Sequence, residues 1–282
     1  MKFKKISIKI VSCLLFVFVS LITGQSSSAK TLHPTGLNHL HEKISGIKKV
    51  ESPESKIQLP SQIDLSSKFP KVTDQGSLGS CVTFAIGYAD KSYEEGVKLN
   101  WRLNTNAHLF SPAYIYSQIH LTDDPDGGGA DFSDAFNLLK TQGCTTLADM
   151  PYDGSEYAWE ITPTDEQIAN AAKYKTKSWG QLPDGNYNAI KAQLANGNPV
   201  VIGIPVYPDF DNLNASNPIY DKVYGENRGG HALCVVGYDD SKKAVKIINS
   251  WGTNWGINGY GWISYNLIQS QGIEAYVMTD AN

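Results

Sequence analysis

DQGSLGSCVTFA, Asp74 to Ala85, is the stretch on which the reading of the chain turns. Gly79-Ser80 reads as the entry from a loop into a helix running from Cys81 to about Gly96, with Ser80 as its N-cap. A thiol on the first turn of a helix feels the positive end of the helix dipole and nearby backbone N–H groups, and both favour thiolate. Gln75-Gly76 stands just upstream. Taken alone, Cys81 is better explained as a small buried side chain, so the rest of the chain has to supply its partners.

Bulk properties narrow the field. The chain has 282 residues, of which 11% are aromatic and 18% charged, the composition of an ordered fold. Lys2, Lys4, Lys5 and Lys9 precede an apolar run from Ile10 to Ile22, and Ser27-x-Ala29 follows as a small-x-small cleavage site. Residues 1–29 therefore read as a secretory signal, its apolar run too short to cross a bilayer. The expectation is an extracellular, released protein with no membrane association once the signal is gone. Removing the signal takes the formal charge from −4 to −8, which offers nothing to nucleic acid or anionic lipid. Three cysteines then remain, Cys81, Cys144 and Cys234; the odd number leaves at least one thiol unpaired. Cys144 and Cys234 can be two separately buried thiols or a disulfide.

Residues 30–57 are polar and weakly periodic, a short pro-segment or flexible leader whose His33, His39 and His41 read as solvated. From Leu59-Pro60 the text becomes turn-punctuated. Ser111-Pro112 starts a second helix, Ser133 to Gln142 forms a third closed by Gly143, and Thr164-Asp165 caps a fourth through Tyr174. Asp123 to Asp131 (DDPDGGGAD) is a loop; its acids lack EF-hand spacing, so no metal is expected. Beyond residue 180 the character changes: Pro199–Val206, His231–Tyr238, Ala244–Asn249 and Tyr260–Tyr265 read as strands. Helices followed by strands argue for an α+β fold, as segregated layers or as two lobes.

A reactive Cys81 needs a base. Outside the leader the histidines are His108, His120 and His231. His231 opens an apolar strand after Gly229-Gly230, where a side chain can face a cleft. Strand alternation points His231, Leu233 and Val235 one way and Ala232, Cys234 and Val236 the other, so Cys234 reads as a core thiol. The next strand ends in Asn249, which one hairpin would bring beside His231, its amide oxygen accepting the imidazole N–H and fixing the tautomer. Trp251 beside that bond would exclude water. Nucleophile, base and orienter are then all present.

Gln75-Gly76-x-x-Gly79-Ser80-Cys81, Gly230-His231-Ala232 and Asn249-Ser250-Trp251-Gly252-x-x-Trp255-Gly256-x-x-Gly259-Tyr260 together resemble the papain family of cysteine peptidases, over roughly Leu59 to Met278. Met150-Pro151-Tyr152-Asp153 resembles that family's Tyr-Pro-Tyr stretch. Leu78 stands where the family usually has a disulfide-forming cysteine, Val82 where it has tryptophan, and the long inhibitory prodomain is absent. In these features the chain is similar to a bacterial, xylellain-like branch.

The resemblance implies a papain-like two-lobe α+β fold, with a helical N-terminal lobe, an antiparallel β-barrel-like C-terminal lobe and a cleft between them. The peptidase domain is placed at 58–282, its helical lobe at about 70–162 and its β lobe at about 163–282. Cys81 resembles the nucleophile, His231 the general base, Asn249 the orienter, Gln75 the oxyanion-hole donor and Trp251 a shield; Gly129, Ala130, Gly230 and Trp251 resemble the residues that line the substrate. The expected activity is endopeptidase hydrolysis of a peptide or protein substrate, by a monomer that uses no cofactor and no metal. The competing readings are a transpeptidase, a cell-wall amidase or transglutaminase, and a catalytically silent binding module. The segment Tyr207 to Arg228 is expected to edge the cleft.

Overall fold

Ser111-Pro112 shows how local chemistry places the helices. The Ser111 hydroxyl accepts the Tyr114 N–H, proline needs no donor at the first helical position, and the helix Pro112–Ile119 follows. Thr164 builds a capping box with Gln167 at the head of Asp165–Ala171, which continues as a 3₁₀ turn to Tyr174. A third helix is Phe132–Thr141. In this computed structural model the described residues are 32–41, 46–50 and 58–280; the signal reading of 1–29 and leader residues 42–45 and 51–57 lie outside them. Among the described residues no helix is long and apolar enough to cross a membrane.

The helix predicted from Cys81 is longer and less regular than its sequence suggests. An α-helical turn, Cys81–Thr83, passes into a π-helical stretch, Phe84–Lys91, and then the α-helix Ser92–Leu99. Ser80 occupies the N-cap position, but its side chain caps nothing. Its hydroxyl pairs instead with the Tyr152 hydroxyl at 2.7 Å, because the Ser80 carbonyl already accepts the Thr83 and Phe84 N–H groups.

Among the described residues eight strands form one open sheet: β1 (Gln62–Asp64), β2 (Thr176–Gln181), β3 (Val200–Pro205), β4 (Ile219–Tyr220), β5 (Gly230–Asp239), β6 (Ala244–Ile248), β7 (Tyr260–Ser264) and β8 (Glu274–Asp280). Their order is β2-β8-β3-β5-β6-β7-β4, with β1 also on β5; β4–β7 is parallel and the other pairs are antiparallel. β3, β5, β6 and β7 match the predicted strands to within a residue or two. β2 and β8 were not readable: Thr176–Gln181 mixes glycine, lysine and serine, and is half-buried over part of its length.

The fold is α+β with two principal apolar cores. One joins the cysteine helix to the helices at 112–119 and 132–141, through Val82, Ile86, Tyr114, Phe132, Phe136 and Leu139. The other lies on the sheet, around Ile202, Leu233, Val235, Ile247, Trp251 and Trp255. β5 is buried along its whole length, and it reaches both cores because Ala232 faces the first while Leu233 faces the second. A smaller cluster holds Cys234 with Phe69, Tyr93 and Val236, so the alternation expected of this strand holds. Cys144 and Cys234 are both free buried thiols.

Phe136 is fully buried, stacked at 5.0 Å on Trp179 and packed at 5.9 Å against Tyr276. Phe136→Ala should cost about 3–5 kcal/mol, whereas Thr164→Ala at the capping box should cost only about 1 kcal/mol. Urea unfolding midpoints of the two variants check this order.

Candidate active site

β5 and β6 form the hairpin that brings the polar pair together. Cys234 lies opposite Ile248, so Asn249 at the end of β6 comes level with the start of β5. His231 Nε2 sits 2.8 Å from Asn249 Oδ1. That bond commits Nε2 as the donor, which leaves Nδ1 as the nitrogen that can take a proton from a thiol. Trp251 lies with its ring centroid 4.5 Å from the imidazole, and Phe210 packs at 5.9 Å from the same ring. Water is kept from the His–Asn bond.

The cysteine helix delivers the thiol to this strand. Cys81 Sγ accepts the Ala232 backbone N–H at 3.4 Å, so the sulfur is seated against the residue that follows His231. Gln75 is brought in from the other direction. Its backbone N–H donates to the Ser250 carbonyl at 2.8 Å, the Ser250 hydroxyl donates to Gln75 Oε1 at 2.6 Å, and the Ser250 N–H donates to Asn249 Oδ1 at 2.8 Å. The Ser250 bond fixes the amide so that Nε2 points to the Leu78 carbonyl at 2.9 Å and into the groove. Tyr152 donates to the Gln75 carbonyl at 2.6 Å while pairing with Ser80, tying the glutamine loop to the helix start. Cys81, His231, Asn249, Gln75 and Trp251 are thus brought to one place. His108 and His120 are elsewhere, packed at 4.5 Å on Trp101 and 4.1 Å on Trp159. Among the described residues no group of three or more His, Cys, Asp or Glu could hold a metal ion.

Residues 33–38 are not the solvated stretch their composition suggests, although His39 and His41 are exposed, as expected. Residues 33–38 lie along the groove. Ala130 N–H donates to the Gly36 carbonyl at 2.8 Å, Asn38 N–H to the Ala130 carbonyl at 3.4 Å, and Gly36 and Leu37 N–H to the Gly230 carbonyl at 3.1 and 3.0 Å. The Pro34 carbonyl receives Gln75 Nε2 at 3.4 Å and Trp251 Nε1 at 3.2 Å. His33 stacks on Trp251 at 5.1 Å, and its carbonyl accepts Arg228 Nη2 at 2.5 Å, while Arg228 is itself paired with Asp211. His39 Nδ1 meets Asp131 at 2.9 Å. The leader thus engages Ala130 and Gly230, the backbone expected to line the substrate; Gly129 turns its own N–H to the Tyr116 hydroxyl at 3.1 Å. Of the segment expected to edge the cleft, Arg228 meets residues 33–38, its carbonyl also accepting the Thr35 hydroxyl at 3.1 Å. A polar composition hides such docking because backbone groups make most of the contacts.

Gly36 is what lets the leader pass. A Cβ there would lie 2.0 Å from the Gly79 carbonyl oxygen, immediately before the helix start. With the leader in place Cys81 and His231 are both fully buried. Burial pushes the Cys81 thiol up to about 12 against the pull of nearby backbone N–H groups. Burial likewise brings His231 down to about 4, with the positive charges of Arg228 and His33 adding to it and the Asn249 bond opposing. The covered site therefore favours neutral thiol and neutral imidazole, against the thiolate that a helix start alone favours.

A sequence model of the papain family of cysteine proteases matches residues 59–281. The chain is similar to a cathepsin B-like protein, CP3, of Giardia intestinalis: 31% identical over 217 residues, covering 73% of this chain and 69% of that one. An uncharacterized peptidase-like protein of Acanthamoeba polyphaga mimivirus is 27% identical over 212 residues, and the chain covers 66% of its length. Among solved structures, xylellain, a cysteine protease from Xylella fastidiosa, superposes with a TM-score of 0.74 at 26% identity, over 90% of this chain and 99% of that one.

Two outcomes follow from the covered site. Gly36→Ala should expel the leader and raise the rate of Cys81 alkylation by iodoacetamide at pH 8 at least tenfold, since a thiol at about 12 is only about one part in ten thousand thiolate there. The docked state should also have two pH limits. His231, held below its ordinary 6.5, favours it above that value and ceases to as pH falls towards about 4; Cys81, held above 9, favours it below that value and ceases to as pH rises towards about 12. The protection factors of the amides in residues 33–38, that is exchange relative to its intrinsic rate at each pH, should fall as pH drops from about 6.5 to 4; protection that stays constant over that range would contradict it.

Proposed function

The chain belongs to the papain family of cysteine proteases, and from that premise we propose that it is exported as a latent precursor whose uncovered form cleaves peptide bonds within protein chains. The observation that carries the reading is the reception of the Pro34 carbonyl by Gln75 Nε2 and Trp251 Nε1, beside a thiol seated on the strand of His231. A peptide carbonyl already lies in the groove, held by side-chain donors. Replacing the leader by a substrate puts a scissile carbonyl within their reach.

Departure of the leader readmits water to the pair, which lowers the thiol pKa and raises that of the imidazole. His231 Nδ1 then takes the Cys81 proton, and the thiolate attacks the carbonyl carbon. The electron pair displaced onto oxygen is met by the Gln75 amide and the Cys81 backbone N–H. As the C–N bond breaks, the imidazolium gives its proton to the leaving amine and a thioester remains. Water, deprotonated by His231, attacks that thioester; the carboxylic acid leaves and the thiol is regenerated. Asn249 holds the ring in one tautomer throughout.

An extended substrate would bond to Ala130 and Gly230, as the leader does, through backbone groups that every residue supplies. That supports cleavage inside chains over recognition of a terminus. The export reading rests on residues 1–29.

In the Gly36→Ala protein, Cys81→Ala should abolish hydrolysis of a quenched fluorescent peptide while far-UV circular dichroism stays unchanged. Gln75→Ala in the same background should lower kcat by about 10²–10³, the loss of one oxyanion donor. Hydrolysis retained without Cys81 would refute the assignment.

A further inference from the structure

Gly76 and Gly154 meet backbone to backbone. A Cβ at Gly76 would lie 2.4 Å from the Gly154 carbonyl oxygen, and one at Gly154 would lie 2.8 Å from the Gln75 carbonyl oxygen. Only glycine allows so close an approach of two chains. The Ser77 N–H holds it, donating to the Gly154 carbonyl at 2.7 Å. Tyr152, two residues before Gly154, is thereby set with its hydroxyl between the Gln75 loop and the start of the cysteine helix.

That hydroxyl makes two bonds, and the chemistry of the groups fixes their direction. The Gln75 carbonyl has no proton, so Tyr152 donates to it at 2.6 Å. The phenol then has no proton left for Ser80, and the Ser80 hydroxyl donates to it at 2.7 Å. Protons therefore point from Ser80 through Tyr152 to Gln75, each bond polarising the next. Burial pushes the Tyr152 phenol well above its ordinary value and keeps its proton in place. Phe84 meets the ring edge-on at 4.7 Å, which steadies it from the side of the cysteine helix. The same bond accounts for Ser80, which stands at the N-cap position and caps nothing.

We propose that Tyr152 is a positioning residue of the oxyanion site, and that it sets the spacing between the two donors. This rests on the peptidase reading and deepens it. The donors come from different places. The Gln75 amide hangs from a residue whose backbone carbonyl Tyr152 holds. The Cys81 N–H belongs to the peptide unit that starts at Ser80, whose hydroxyl Tyr152 receives. Ser250 orients the Gln75 amide from the sheet, and Tyr152 fixes how far that residue stands from the helix start. An oxyanion needs each donor at about 2.7–3.1 Å, so a slipped spacing weakens the transition state and leaves substrate binding alone.

In the Gly36→Ala full-length protein, Tyr152→Phe keeps the ring and removes both bonds. It should lower kcat for the quenched fluorescent peptide at least tenfold and move KM less than twofold. Ser80→Ala cuts the same chain at its other end. It should lower kcat at least threefold, and the double variant should be no slower than Tyr152→Phe alone. Where Gln75→Ala has already removed one donor, Tyr152→Phe should cost less than threefold. A loss that falls on KM, or that multiplies in full with Ser80→Ala or with Gln75→Ala, marks a tyrosine that only supports the fold and overturns the proposal. A second arm needs no catalysis and uses the same protein labelled with ¹⁵N. The Gln75 side-chain amide resonance, identified by its loss in Gln75→Ala, should shift in Tyr152→Phe. Cys81 alkylation by iodoacetamide, which puts no charge on a carbonyl oxygen, should change less than threefold. An unmoved amide resonance overturns the proposal. If no peptide is cleaved although Cys81 alkylates, the peptidase reading fails, and the amide resonance still decides whether Tyr152 holds Gln75 in register.

Discussion

The site depends on one landing point: the first turn of the cysteine helix against the start of β5, where the Ala232 N–H reaches Cys81 Sγ. One side of that contact is fixed by the helical core, the other by a strand buried along all ten of its residues. Because β5 presents alternate residues to different cores, it can carry His231 into the groove while Ala232 receives the sulfur. Neither core alone contains a nucleophile and its base. Their packing against each other makes the site, so mutations that loosen either core act on catalysis through this contact.

The chemistry was legible because it is written in fixed spacings. A cysteine at a helix start, a histidine opening an apolar strand and an asparagine at the end of the next need only helix and hairpin geometry to meet, and their residue types are rare enough to stand out. The strands β3 and β5 were readable as apolar runs, β6 as one interrupted by a single lysine, and β7 as an alternating strand between glycine-rich turns. The edge strand β2 was not, because it is stabilised by neighbours and not by its own pattern. Ser250, which holds the Gln75 amide, gave no signal beyond its place in a motif.

The leader shows the limit most clearly. HPTGLN, His33 to Asn38, is polar and turn-like, yet it lies in the groove along a path that admits no side chain at Gly36. Its recognition runs through backbone N–H and C=O groups, which all sequences share, so composition reports nothing about it. The same contacts explain why burial sets the protonation of the covered pair: the segment brings no charge to the sulfur, but it takes the water away.

Ser250 has a further bearing on how the groove can open. Through Ser250, Thr73 to Gln75 is fastened to the sheet, with Gly252 N–H also on the Thr73 carbonyl at 3.2 Å, whereas Ser77 and Gly79 are bonded to Gly154 and Asp126 on the helical side. The chain therefore changes allegiance within a few residues, between the Gln75 amide and the Cys81 sulfur. Gln75 itself is anchored twice, by Ser250 on the sheet and by Tyr152 and the Leu78 carbonyl on the helical side, so opening the groove has to break one of those anchors before the amide can leave the sulfur.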